Sequence, residues 1–413
     1  MNHFQRQGGV LYAEDVPLEK IAQDVGTPVY IYSSATLRRH FRVFDGAFSE
    51  IDHLTCFAVK ALSNIAVLSL LAKEGAGFDV VSAGELRRVI AAGGDPGKVV
   101  FSGVGKTRLE LAEALDAGIL CFNVESRAEL RQLNDVAVGK GLRAPVSLRI
   151  NPDVDPKTHP YIATGLRNNK FGIPWDDAEA SYLVARDLPG ITVTGLDCHI
   201  GSQISSIEPM VEAMEKMVAL VDRLEALGLE VQHLDVGGGL GITYDSEQPP
   251  SPAAYAKELI RVLGSRKKKI ITEPGRVIAG NAGILLTQVL LRKSNENKTF
   301  LIVDAGMNDV IRPALYDAWH GLEPVGAASG EEEIVDVVGP VCESGDFLAR
   351  DRPLPFLDEG DLLAMRSAGA YGFVMSSNYN SRPRVAEVLV DGSEYRVIRR
   401  RETLEELFAT ESI

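Results

Sequence analysis

The chain reads as an α/β protein, a (β/α)8 TIM-type barrel followed by a mostly β C-terminal domain. Three observations lead there. Eight short apolar runs, at residues 54–59, 78–81, 99–102, 120–124, 146–150, 193–199, 234–236 and 270–272, alternate with helical stretches. They occupy roughly 220 residues, the count and length of an eight-stranded barrel, although a doubly wound sheet competes on the same alternation. Beyond residue 276 the pattern becomes strands at 284–291, 299–303, 334–338, 362–366, 384–390 and 394–398, with Gly, Pro and Asp between them.

The first 35 or so residues do not begin a barrel. Residues 18–25 suit a short helix, 27–32 an extended segment opened by Pro28, and 36–48 a helix. The barrel is expected to span 36–275, and residues 1–35 plus 276–413 to form the β domain. Within the barrel, 108–117 and 209–227 read as helices. In the second, Met210, Met214, Met217, Val221, Leu224 and Leu227 recur at helical spacing, and Gly228 stops the run. Methionines on one face could form a soft binding groove, but a core face is the simpler reading. Lys267-Lys268-Lys269 suits a solvated turn before the eighth strand.

A length of 413 residues implies two or three domains, and 45% hydrophobic with 24% charged residues is ordinary globular usage. The net charge of -14 argues against a nucleic-acid surface. Cys56, Cys121, Cys198 and Cys342 form no CxxC pair and lie in or beside apolar runs, as free thiols in a reducing compartment do. Residues 1–6 show no apolar signal core, and no apolar run reaches the roughly 18 residues of a membrane span. The expectation is a cytoplasmic enzyme with no membrane or nucleic-acid partner.

Two glycine-containing stretches imitate nucleotide sites. Gly105-Lys106-Thr107 lacks the glycine of a phosphate loop, since Val100 stands there, and a GxGxxG beginning at Gly237 fails at Ile242. The seven histidines show no HExxH and no spaced Cys/His set, so no metal is expected.

The ends of the apolar runs carry reactive side chains repeatedly. The first ends at Lys60; the second carries Asp79 and Ser82; the sixth ends Asp197-Cys198-His199-Ile200-Gly201-Ser202. The seventh enters Gly237-Gly238-Gly239-Leu240-Gly241 and the eighth Glu273-Pro274-Gly275-Arg276. Singly, each has a structural reading: a lysine that snorkels, a tight glycine turn, a satisfied core histidine. Together they fall on one barrel rim, where active sites form. A partly desolvated lysine can make a Schiff base, and glycine turns present N–H groups to a phosphate. A carboxylate such as Glu273 can keep a pyridine nitrogen protonated, and a histidine can stack on a flat ring. The set describes a pyridoxal 5'-phosphate site.

These stretches, with Phe57-Ala58-Val59-Lys60-Ala61 and His199-Ile200-Gly201-Ser202-Gln203, resemble the fold-type III pyridoxal-phosphate decarboxylases, which share an alanine-racemase-like barrel and a C-terminal β domain. Longer motifs are similar to the diaminopimelate decarboxylases within them. They are Arg149-Ile150-Asn151-Pro152-Asp153-Val154-Asp155, Thr158-His159-Pro160-Tyr161-Ile162, Lys170-Phe171-Gly172-Ile173 and Asp304-Ala305-Gly306-Met307-Asn308. Arg312-Pro313-Ala314-Leu315-Tyr316-Asp317-Ala318, Gly339-Pro340-Val341-Cys342-Glu343-Ser344-Gly345-Asp346 and Gly369-Ala370-Tyr371-Gly372 complete the series, in order from about residue 10 to 400.

The resemblance implies a role for each matching residue. Lys60 bonds the cofactor, His199 covers one ring face, and Glu273 pairs with the ring nitrogen. Gly237, Gly238, Gly239 and the Gly275-Arg276 turn hold the phosphate, and Asp79 and Ser202 also bind the cofactor. Arg276, Arg312 and Tyr316 meet the substrate's far carboxylate, Glu343 its far ammonium, and Tyr371 both cofactor and substrate. Cys342 is the proton donor, supplied by the partner subunit, so the implied assembly is a homodimer with shared active sites. The implied reaction takes one carboxylate from meso-2,6-diaminopimelate to give L-lysine, the last step of lysine biosynthesis. A zwitterionic far end needs both signs of charge, and arginine's fork suits a carboxylate. Sister decarboxylases acting on ornithine, lysine, arginine or carboxynorspermidine are the nearest alternative. A non-catalytic cofactor-binding protein and a racemase are more distant ones.

Overall fold

The computed structural model describes residues 2–156, 158, 164–165, 169–327 and 331–413. Of the motif expected at 158–162, residues 159–162 lie outside the described residues. The chain divides into two compact units. One comprises His40–Ile242 and Gln248–Val277; the other comprises Met1–Arg39, Thr243–Glu247 and Ile278–Ile413.

The first unit is a closed parallel barrel. Its strands are His53–Ala58, Gly77–Val80, Val99–Phe101, Cys121–Val124, Ala144–Asn151, Ile191–Asp197, His233–Asp235 and Lys269–Thr272, each beside the next. The eighth pairs back onto the first, with Thr272 opposite Thr55, so the sheet closes and a doubly wound sheet is excluded. Strands covered by helices outside and side chains inside must be apolar on both faces, hence the short continuous apolar runs. Cys56, Val100, Cys121 and Ile271 pack together inside.

Local signals place the helices. Asn64 Oδ1 accepts from Ala66 N at 3.0 Å and opens Ile65–Lys73, leaving Lys60 on the single turn Val59–Ala61 that joins strand to helix. Ser82, grouped above with the reactive rim residues, is an N-cap: its Oγ accepts from Glu85 N at 3.2 Å at the head of Ala83–Ala91. In Glu208–Ala226, Met210, Met214 and Met217 are buried, as a core face requires. Leu227 departs from that stripe; it is the C-cap and stands 41% exposed.

The second unit is built on a sheet in the order Phe347–Pro355, Glu332–Val338, Thr299–Val303, Gly283–Ser294, Val29–Ser33, Ala386–Asp391, Glu394–Arg399. Val29–Ser33 is buried throughout. It pairs antiparallel with Gly283–Ser294 and parallel with Ala386–Asp391, so the N-terminal segment completes a sheet made mostly of C-terminal chain. Leu362–Met365 joins Gly283–Ser294 to Leu322–Pro324. Thr243–Glu247 groups with this unit, although its position lies inside the span 36–275 expected of the barrel. Its Tyr244 ring packs edge-on to His320, 5.3 Å between centroids.

Candidate active site

Parallel strands bring all their C-terminal ends to one rim, and the barrel gathers Lys60, Asp79, His199, Ser202, Gly237, Gly238, Gly239, Glu273, Gly275 and Arg276 there. Lys60 Nζ bonds the fully buried Asp79 carboxylate, the residue beside Ala58 on the second strand. On the next helix Glu85 accepts from Val81 N at 2.7 Å, and burial pushes its carboxyl up to about 7.

Glu273 anchors a buried polar network. Ser102 Oγ donates to Glu273 Oε1 at 3.1 Å, and Asn123 Nδ2 reaches Ser102 Oγ, Asp235 Oδ2 and Glu273 Oε1 at 3.1–3.3 Å. Asp197, Asp235 and Glu273 bring carboxylate oxygens within 4.8 Å of one another. Desolvation first, then mutual repulsion, raises Glu273 and Asp197 well above the ordinary carboxylate range and Asp235 to about 8. Arg149, the buried cation nearby, already pairs with Glu125 at 2.9 Å.

The glycine turn shows why glycine is required. A Cβ on Gly237 would stand 2.6 Å from His199 Nδ1, and one on Gly238 2.2 Å from Glu273 O. Gly239, at φ 113°, would meet Gly201 O at 2.6 Å. Gly237 N–H donates to Asp235 Oδ1 at 3.0 Å and Gly238 N–H to His199 Nδ1 at 3.1 Å. Those two N–H groups therefore brace the turn; of the three, only Gly239 N–H has no hydrogen-bond partner among the described residues. An Nδ1 that accepts leaves the proton on Nε2, so His199 is a neutral imidazole. Desolvation, with Arg149 and Lys60, holds its pKa well below the ordinary value. Arg276 donates to Ser202 Oγ at 3.1 Å.

The remaining expected residues belong to the β unit. Arg312 and Tyr316 share one short helix, Arg312–Tyr316. Arg312 is buried, donates to His320 Nε2 at 2.7 Å and lies over the Tyr244 ring at 4.7 Å. Cys342 and Glu343 are exposed on a loop whose N–H at Val341, like that of Met307, donates to the Asp346 carboxylate at 2.6 Å. Glu343 accepts from Tyr379 OH at 3.0 Å. Cys342 is the one exposed thiol; Cys56, Cys121 and Cys198 are buried. Tyr371 sits at φ 56°, a left-handed conformation uncommon for a side chain of its size.

The rim fits pyridoxal phosphate on the chemistry of its donors. Glu273 is a buried carboxyl short of positive charge, and a protonated ring nitrogen supplies it. Lys60 is half-exposed at the strand end, and Gly239 offers an unused N–H in a turn that no side chain could enter. Sequence reasoning misses Ser102, Asn123 and Asp235, and also His320. A polar Asn123 within a fully buried strand is the available signal for the first group.

This barrel and rim define a pyridoxal-dependent decarboxylase. The pyridoxal binding domain of that family matches residues 34–280. A diaminopimelate decarboxylase of Vibrio cholerae is 57% identical over 100% of this chain and 99% of its own, and one of Pseudomonas aeruginosa is 55% identical over 100% and 99%. The crystal structure of diaminopimelate decarboxylase from Helicobacter pylori complexed with L-lysine superposes with a TM-score of 0.93 at 43% identity, covering 95% of this chain and 99% of that one. The chain belongs to the diaminopimelate decarboxylase family.

Proposed function

We propose that this chain releases CO2 from meso-2,6-diaminopimelate and returns a proton to the same carbon, giving L-lysine. The observation that carries the reading is Glu273, buried at the end of the eighth strand and bonded through Ser102 and Asn123, electrostatically within reach of Lys60. Pyridoxal phosphate, when bound, supplies the electron sink that makes loss of CO2 from an amino-acid carbon feasible.

The chain's own residues divide the work. Lys60, held by Asp79, is the covalent anchor, and Glu273 is the buried carboxyl that would pair with the cofactor's ring nitrogen. His199, kept neutral and oriented by Gly238 N–H, covers a ring face without adding charge. Gly239 N–H, with the Gly275-Arg276 turn and Ser202, serves the phosphate. Arg312 and Tyr316, with Arg276, take the substrate's far carboxylate, Glu343 takes its far ammonium, and Tyr371 meets cofactor and substrate. Cys342 delivers the proton to carbon from a second copy of the chain, making the working assembly a homodimer with shared sites. Its exposure on a braced loop supports a role toward another chain. No helix among the described residues is long and apolar enough to cross a membrane, and a cytoplasmic location agrees with the three buried free thiols.

The deciding experiment measures CO2 release from meso-diaminopimelate beside ornithine, lysine and arginine. Diaminopimelate is expected to dominate. Equal or faster release from one of the others would replace this reading with that of a sister decarboxylase.

A further inference from the structure

We infer that His320, with Tyr244, is a positioning residue that presents Arg312 to the far carboxylate of the substrate; the inference rests on the reading of Arg312 given above. His320 is fully buried. Its Nδ1 lies 2.8 Å from Arg366 O, and a carbonyl can only accept, so Nδ1 carries the proton. Nε2 is therefore a lone pair, and Arg312 donates to it at 2.7 Å. A guanidinium has only donors, so this bond exists only while the imidazole is neutral and in that tautomer.

The backbone that carries the imidazole is held as well. Arg352 donates to His320 O at 2.9 Å, and Arg366 N donates to Gly321 O at 2.7 Å, which fixes the backbone around it. Tyr244 stands edge-on to the imidazole at an interplanar angle of 80° and faces Arg312 with its ring. One ring thus touches both members of the pair, and cation–π attraction favours the guanidinium over the ring face. Arg312 is gripped at one donor by His320 and across one face by Tyr244. A flexible arginine loses rotamer freedom when it binds a carboxylate; one already held has lost it beforehand, and binding gains accordingly.

Asparagine and glutamine separate this role from packing. At position 320 an Asn amide N–H can stand where Nδ1–H stood and keep the bond to Arg366 O, but it has no acceptor for Arg312. A Gln carbonyl reaches where Nε2 stood and keeps the acceptor. In the cofactor-loaded enzyme, the readout is inhibition of diaminopimelate turnover by L-lysine, which retains the far carboxylate, against cadaverine, which lacks it. His320→Asn is expected to weaken inhibition by L-lysine about tenfold while that by cadaverine stays within about twofold; His320→Gln should restore most of the difference. If Arg312→Ala leaves the lysine-to-cadaverine ratio unchanged, the far-carboxylate reading of Arg312 fails. If Arg312→Ala collapses the ratio while His320→Asn preserves it, or if the Asn and Gln variants lose it equally, His320 is packing and the inference is overturned. Should the His320 variants not fold, Tyr244→Leu removes the other hold. A ratio lowered severalfold by it supports the inference, and an unchanged ratio overturns it.

Discussion

At the barrel rim Asp235 and Glu273 are closed off from solvent and tied into one network through Asn123, whereas Cys342 and Glu343 of the β unit stand exposed on a loop. The rim residues come from strand ends, and their spacing is set by the hydrogen-bonded ladder of the barrel. The loop residues are placed by a local device, the Asp346 carboxylate accepting from Val341 and Met307. A network sealed in low dielectric controls charge and protonation. A braced, exposed loop can present a thiol and a carboxylate outward. On the proposed reading, cofactor chemistry sits with the first region, and substrate selection and proton delivery with the second.

The largest expected effect is at the rim. Lys60→Ala should lose the visible absorbance of the bound cofactor together with essentially all turnover, and undiminished CO2 release would remove Lys60 from the reaction. The loop is tested next, by whether it serves its own chain. Lys60→Ala and Cys342→Ala should each be nearly inactive, but after subunit exchange half the dimers are hybrids with one intact site. Recovery should then approach about a quarter of wild-type activity. Verified hybrid dimers as inactive as their parents would mean that the thiol acts within its own chain.

A smaller effect is expected at Arg312. A site built to pair a carboxylate rejects a ligand that leaves its groups unpaired, so Arg312→Ala should narrow the preference for diaminopimelate over lysine by about tenfold or more. An unchanged ratio of kcat/KM values would exclude Arg312 from selection.

The smallest effect concerns the sealed acids. Asp235 is raised from 3.8 to about 8 in the fold, so the folded chain binds a proton that the unfolded chain has released. Its stabilising contribution is complete below the unfolded value and is lost as pH rises towards 8. The Tm of the cofactor-free protein should fall between pH 5 and pH 8 more steeply for wild type than for Asp235→Asn (about those limits, set by the two pKa values). Parallel slopes would show that the network's proton resides elsewhere.

Much of the site is legible in the chain itself. Lys60, His199, the Gly237–Gly241 turn and Glu273 each follow an apolar run, and a barrel sends every such end to one rim. Arg312, Tyr316, Cys342, Glu343 and Tyr371 are legible only through motif resemblance, because nothing in their spacing relates them to a strand end. Ser102, Asn123 and Asp235 do not stand out: each lies within or at the edge of an apolar run, where a polar residue announces a partner without naming it. His320 is equally silent, since the positioning role inferred for it depends on what its two nitrogens touch.

The sequence by itself determined the alternation of strands and helices, the positions of the reactive strand ends and the change to a β domain, because these depend on residues near one another in the chain. Tertiary structure decided the rest. It closed the barrel through Thr272 against Thr55, joined Ser102 to a carboxylate 171 residues away, and grouped Tyr244 with His320 and Arg312. It also assigned Gly237 N–H to Asp235 and Gly238 N–H to His199, leaving Gly239 N–H without a hydrogen-bond partner among the described residues. Hydrogen bonds and protonation states of buried groups depend on which distant residues share a low-dielectric space, and chain spacing carries no record of that.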